Sequence, residues 1–129
     1  ENNIGMTLKS MQIYTDSSLN NKCEIVYASE TSKDGDAYKN GFKDYSNYYN
    51  NRYDTFYAIV SINDNEVSNY QDAIRLLQNI KANTEVKISY KKILFKRAGS
   101  GLFMQQTYPY LDGKINTITF TASQYVYTI

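Results

Sequence analysis

Histidine is absent from the 129 residues, and cysteine and proline occur once each. Without imidazole, Ser-His-Asp and Cys-His catalysis within this chain are excluded, and a zinc site would have to be built around a single thiol. The lone Cys23 cannot form an internal disulfide and says little about redox compartment. Its neighbours Glu24-Ile25-Val26-Tyr27 read as a strand, where a half-buried structural thiol is the plain reading. An excess of charge of either sign is missing too. Fourteen Lys and Arg stand against thirteen Asp and Glu, a net charge of +1, so no overall field draws the chain to nucleic acid or to an anionic membrane. No apolar run approaches the roughly eighteen residues that span a bilayer, and Glu1-Asn2-Asn3 lacks the basic and apolar regions of a signal peptide. The expectation is a non-catalytic chain with no cofactor, no metal, no nucleic-acid partner and no direct membrane insertion.

What is present suits a folded domain. Hydrophobic residues make up 42% of the chain and charged residues 21%, too apolar a pattern for disorder, and the length fits one domain with a modest appendage. Ile4 to Met11 alternates apolar with small or polar residues, as a half-buried strand does, and Cys23 to Ser29 reads as a second strand. Asp36 is placed to cap a short helical turn, Ala37 to Asn40, ended by Gly41. Lys43 to Arg52, rich in Asn and Tyr, has no apolar periodicity and is expected to be an exposed loop. A strand follows at Phe56 to Ile62, then a turn at Asn63-Asp64-Asn65 and a short return at Glu66-Val67.

The main helix is expected from Ser68 to about Ile80, with Ser68 as cap, Gln71 completing a capping box and Asp72 complementing the dipole. Ala73, Ile74, Leu76, Leu77 and Ile80 recur at helical spacing, a stripe wide enough to face both a core and a groove. Glu85 to Tyr90 is a strand continuing toward Phe95. Past Gly99-Ser100-Gly101, a linker rather than a phosphate loop, only strands are expected: Leu102 to Tyr108, Lys114 to Thr121 and Gln124 to Ile129, with Pro109 separating the first from the second.

The order of these elements, with several motifs, resembles a PDZ domain of the bacterial protease-associated type. Asn3-Ile4-Gly5-Met6 is similar to the family's carboxylate-binding loop. Asp36-Ala37-Tyr38-Lys39-Asn40-Gly41-Phe42 looks like the short helical segment ending in Ala-Gly-Leu. Ala58 to Val67 follows the pattern of an apolar strand, Ile-Asn-Gly and Val, and Asp72 to Leu77 with Val86-Lys87-Ile88 looks like the helix and closing strand. The resemblance runs from about Ile4 to Tyr90. It departs from the family at the long insertion 43–53, at Tyr53-Asp54 in place of Gly-Asp, and at the tail from Ala98.

The resemblance implies a mainly β fold with some α: a partly opened antiparallel barrel or sandwich with one main and one short helix and extra C-terminal strands. It divides the chain into a PDZ-like unit, 1–97, and a β extension, 98–129, packed on it. It further implies a module that binds an extended peptide or a protein C-terminus by strand addition. The expected peptide-binding residues are Ile4, Gly5, Met6, Thr7 and Leu8 on the loop and first strand, with Asn69, Ala73 and Leu76 on the helix. Such modules recruit substrates or regulate larger proteins such as bacterial envelope proteases, which favours the periplasm or cell envelope. The competing function is a structural assembly domain with a closed groove. The tail Gln124 to Ile129, β-prone and apolar at its end, either completes a hairpin with Lys114 to Thr121 or fills a groove and so supports self-association.

Overall fold

A computed structural model of the chain describes residues 4–99 and 106–123. Seven strands form one curled mixed sheet, and three helices pack on it. The strands are β1 (Met6–Tyr14), β2 (Lys22–Thr31), β3 (Phe56–Ile62), β4 (Asn65–Glu66), β5 (Glu85–Ala98), β6 (Gln106–Leu111) and β7 (Asn116–Thr121). The helices are α1 (Asp36–Lys39), α2 (Tyr45–Tyr49) and α3 (Tyr70–Gln78). The order across the sheet is β4-β3-β2-β1-β6-β5-β7, and an added β3–β5 ladder makes the sheet partly ringed without closing it into a barrel. The mainly β class with few helices is therefore as expected.

Alternation along the strands sends side chains to two cores. Met6 and Leu8 of β1, Val26 and Ala28 of β2 and Val86 and Ile88 of β5 pack under Ala73, Leu77 and Ile80 in the main core. Ile13, Ile25, Tyr27, Phe56, Ala58 and Ile93 point the other way into a second core. Two irregularities preserve this sorting. A bulge opposite Thr7/Leu8 leaves Ser29 as the extra residue, its hydroxyl donating to the Thr7 carbonyl at 3.1 Å. A register shift between Ile59 and Ser61 returns Ile62 to the main core with Tyr57 and Ile59.

β3 occupies the expected Phe56 to Ile62, and the turn after it holds Asn63 and Asp64 at φ 50° and 65°, as a tight hairpin needs. α1 ends at Gly41, φ 82°, as expected, but the position before the helix is Gly35 and Asp36 is its first residue. β5 is longer than anticipated, fourteen residues to Ala98, because its two halves hold different neighbours on one edge, β7 along Glu85 to Tyr90 and β6 along Ile93 to Ala98.

Four expectations need correction. The segment 43–53 is no open loop: Asp44 caps α2, and Tyr48 of α2 covers the second core with its ring stacked on Phe95 at 4.9 Å. The cap of α3 is Asn69, not Ser68. The Asn69 Oδ1 accepts from the Asp72 amide at 2.9 Å while the Asp72 carboxylate reaches back past the cap to accept from the Ser68 amide at 3.1 Å, so the helix starts one residue later than the sequence suggested. Pro109 lies inside β6 opposite Phe95 and does not break it. The purely antiparallel sheet also gains one parallel contact, Tyr14↔Tyr110 between β1 and β6. The extension from Ala98 adds β6 and β7 to β5 and contributes Phe120 and Ala122 to the main core. The Gly-Ser-Gly linker beyond Gly99, the start of the strand expected at Leu102 and the strand at Gln124 to Ile129 lie outside the described residues.

Candidate functional site at the outer edge of β1

β1 pairs with β2 from Met6 to Tyr14 but meets a described strand on its other edge only at Tyr14↔Tyr110. The direction of its backbone groups follows from one hydrogen bond. The Ser32 amide donates to the Gly5 carbonyl at 2.8 Å, which makes Met6↔Thr31 a pair that exchanges no hydrogen bonds within the β1–β2 ladder. The N–H and C=O of Met6 therefore point outward. Alternation carries the same direction to Leu8, Ser10, Gln12 and Tyr14, and Tyr14 is the residue that meets β6 there. The backbone of Leu8, Ser10 and Gln12 thus faces an edge with no described ladder partner.

The turn that opens this edge is tightly held. Gly5 sits at φ +78°, and a Cβ added to it would lie 2.9 Å from the Gly35 Cα. Ala37 N–H donates to the Ile4 carbonyl at 3.0 Å, and a trans peptide points the next N–H the opposite way, so the Gly5 amide is directed away from α1. The amides of Gly5 and Met6 are both aimed away from the connection between β2 and α1. Successive amides turned to one side in this way have the donor geometry of an anion nest, here on two residues that are themselves buried. Nearby, the Asp36 Oδ2 accepts from the Ser123 amide at 3.0 Å, so the end of the β7 segment is tied beside the Gly5 turn.

The expected site residues divide. Ile4, Gly5, Met6 and Leu8 are buried, Ile4, Met6 and Leu8 as part of the main core, and they contribute through their backbone. Thr7 is exposed but turns its carbonyl to Ser29 on the β2 side, so it is no rung of the outer edge. At the start of α3, Asn69 is exposed with its side-chain oxygen engaged as the cap. Leu76 is half-buried against the main core, while Ala73 has no exposed surface. Ala73 belongs to the floor beneath the helix, not to an exposed wall, because its small side chain lets α3 approach the sheet closely.

Two further depressions exist. One of about 130 Å³ opens where β2 and β3 splay beyond their single ladder pair, Tyr27↔Ala58, between Ile25, Val60 and Lys91. Cys23, near Lys91, is half-buried, and burial raises its thiol above the usual range although the lysine works against this, so it is a poor nucleophile. The other hollow, about 470 Å³, lies beside α2 and is lined by Tyr48, Tyr49, Asn51, Tyr53 and Asp54. Sequence reasoning placed this Tyr-rich segment on an exposed loop. The signal for its order was Asp44 three residues before Asn47, a capping spacing, followed by tyrosines at 45, 48 and 49.

Among the described residues no cluster of His, Cys, Asp and Glu is arranged to hold a metal ion, and no helix is long and apolar enough to cross a membrane. No protein-family model matches the chain, and no curated protein matches it.

Proposed function

We propose that this chain is a PDZ-like module that binds an extended peptide along the outer edge of β1, with the peptide's terminal carboxylate at the Gly5 turn. The observation that carries the reading is the row of outward backbone groups at Leu8, Ser10 and Gln12, bounded at one end by the Gly5 turn and at the other by β6 at Tyr14. A strand added there gains main-chain hydrogen bonds, and its alternate side chains point toward α3, where Leu76 and the Asn69 amide stand. The slot is short. Three outward rungs fit a ligand of about six or seven residues by the two-residue repeat of a strand. Recruitment of substrates to, or regulation of, a larger envelope protein remains the role proposed for such a module.

The full burial of Met6 and Ala73 favours a second reading, an assembly domain whose groove is filled by its own side chains. A random C-terminal peptide library separates the two. Enrichment over a Gly5→Pro control, with amide shifts from Met6 to Ser10 and at Asn69 and Leu76, is expected for peptide binding. No enrichment, or shifts confined to 44–53, rejects it.

A further inference from the structure

The hollow beside α2 plays no part in peptide binding at β1, and its lining has an unusual chemistry. Each of its five side chains bears a hydrogen-bonding group: three tyrosine hydroxyls, the Asn51 amide and the Asp54 carboxylate. No aliphatic side chain lines it among the described residues. Tyr49 is 70% exposed, against 36% for Tyr45 and Tyr70, the other exposed rings among the described residues. At about 470 Å³ the hollow lies within the range of small-molecule sites, about 300–1,000 Å³.

The frame around it is held in advance of any ligand. Asp44 fixes Asn47, the Asn47 carbonyl accepts from the Arg52 and Tyr53 amides at 2.9 and 3.3 Å, and Asn51 closes the turn at φ 61°. The Tyr48 ring is clamped flat on Phe95. Burial first, then Tyr38 and Asp44, push the Tyr53 hydroxyl above its usual range, so it keeps its proton as a donor. Little entropy remains to be lost on binding.

Charge narrows the ligand class. Two cations adjoin the hollow, and both have partners: the Lys43 ammonium lies 5.4 Å from the Tyr53 ring centre and the Arg52 guanidinium donates to the Asn47 Oδ1 at 3.2 Å. The carboxylates of Asp44 and Asp54 balance them. Two charges of each sign around the hollow leave no net field to favour an anion or a cation there. What fits is a neutral molecule with apolar C–H faces to lie on tyrosine rings and hydroxyls to meet the amide and the carboxylate.

We propose that the hollow formed by Tyr48, Tyr49, Asn51, Tyr53 and Asp54 is a binding site for a neutral saccharide. One ring of the sugar stacks on the exposed face of Tyr49, and its hydroxyls donate to Asp54 and exchange hydrogen bonds with Asn51 and Tyr53. The site is independent of the β1 edge, so either stands if the other fails.

The test is titration of the ¹⁵N-labelled chain with cellobiose, N,N′-diacetylchitobiose and maltose in turn, with tetramethylammonium chloride as a cationic comparison. Saturable amide shifts centred on 51–54 with at least one disaccharide are expected. Tyr49→Ala, at a position exposed enough to leave the fold intact, should weaken that binding at least about tenfold, as should Asp54→Ala. The proposal is overturned if no disaccharide gives saturable shifts, if the shifts centre elsewhere, or if Tyr49→Ala leaves them unchanged. It is equally overturned if tetramethylammonium binds there and no sugar does, since the site would then be an aromatic cage for cations.

Discussion

The Asp44 carboxylate has 1% of its surface exposed and accepts four hydrogen bonds. One oxygen serves the amide and hydroxyl of Thr31 at the end of β2, the other the amide and side chain of Asn47 in α2. A single side chain therefore ties a helix to a strand. Removing it strands four donors, so Asp44→Ala should lower the unfolding free energy by about 3 kcal/mol. Asp44→Asn, which keeps one acceptor oxygen, should cost less; equal stability of Asp44→Ala and the parent in urea titration would show that water replaces the carboxylate. Gly5 invites a paired measurement with Gly41. Both hold positive φ, but a Cβ at Gly41 meets nothing within 4 Å whereas one at Gly5 meets the Gly35 Cα at 2.9 Å. Gly41→Ala should cost about 1–2 kcal/mol of backbone strain, and Gly5→Ala clearly more, the difference reporting the contact with Gly35. Equal losses would mean that Gly35 simply moves aside.

At the scale of elements, what the sequence made legible depended on where the stabilising atoms lie. β3 was readable because Phe56 to Ile62 pairs on both edges, buries most of its residues and ends in an Asn-Asp turn. The edge of β1 and its turn were readable only through the order of motifs, since Gly5 alone signals no more than a bend. α2 was not readable, because its stability comes from Asp44 and from tyrosines packing on Phe56 and Phe95, none of which shows as aliphatic periodicity. Pro109 misled for a similar reason: among the described residues β6 meets β1 at Tyr110 alone, so the edge of β6 at Pro109 calls on no N–H donor there and tolerates proline. The role of α2 as a cover gives a prediction. Tyr48→Ala should destabilise the fold by about 3 kcal/mol through the lost stack on Phe95 and the opened second core, while the exposed Tyr49→Ala should change stability by less than about 0.5 kcal/mol. Thermal or urea unfolding of the two variants checks this, and similar losses would show that α2 is a surface decoration.

For the whole molecule, fourteen tyrosines make alkaline pH the revealing variable. Burial and the hydrogen bond with Tyr90, stacked on it at 4.0 Å, hold the Tyr57 hydroxyl far above its usual range; burial first also raises Tyr27, Tyr48 and Tyr53. Above about pH 10 the unfolded chain releases these protons and the folded chain does not. The stability these groups contribute is thus complete below pH 10 and falls as pH rises through their higher folded values. Urea midpoints should drop steeply from pH 10 upward, and Tyr57→Phe should flatten the drop; an unchanged slope in Tyr57→Phe would place the effect on the other tyrosines.

Among the described residues, the hairpin of β1 and β2 joins the remaining strands through two isolated ladder pairs, Tyr27↔Ala58 and Tyr14↔Tyr110. Elsewhere along that seam the described strands meet through side chains, which yield to shear more readily than a row of hydrogen bonds. The gap between β1 and α3 is therefore a compliant dimension of the protein. Its width can adjust by sliding the hairpin against Leu76, Leu77 and the strands beneath, with little loss of secondary structure. If β1 takes a peptide as proposed, a slot of that kind would accept ligand side chains of different bulk by small repacking steps, and so would select its partners through backbone length and terminus before it selects them by sequence.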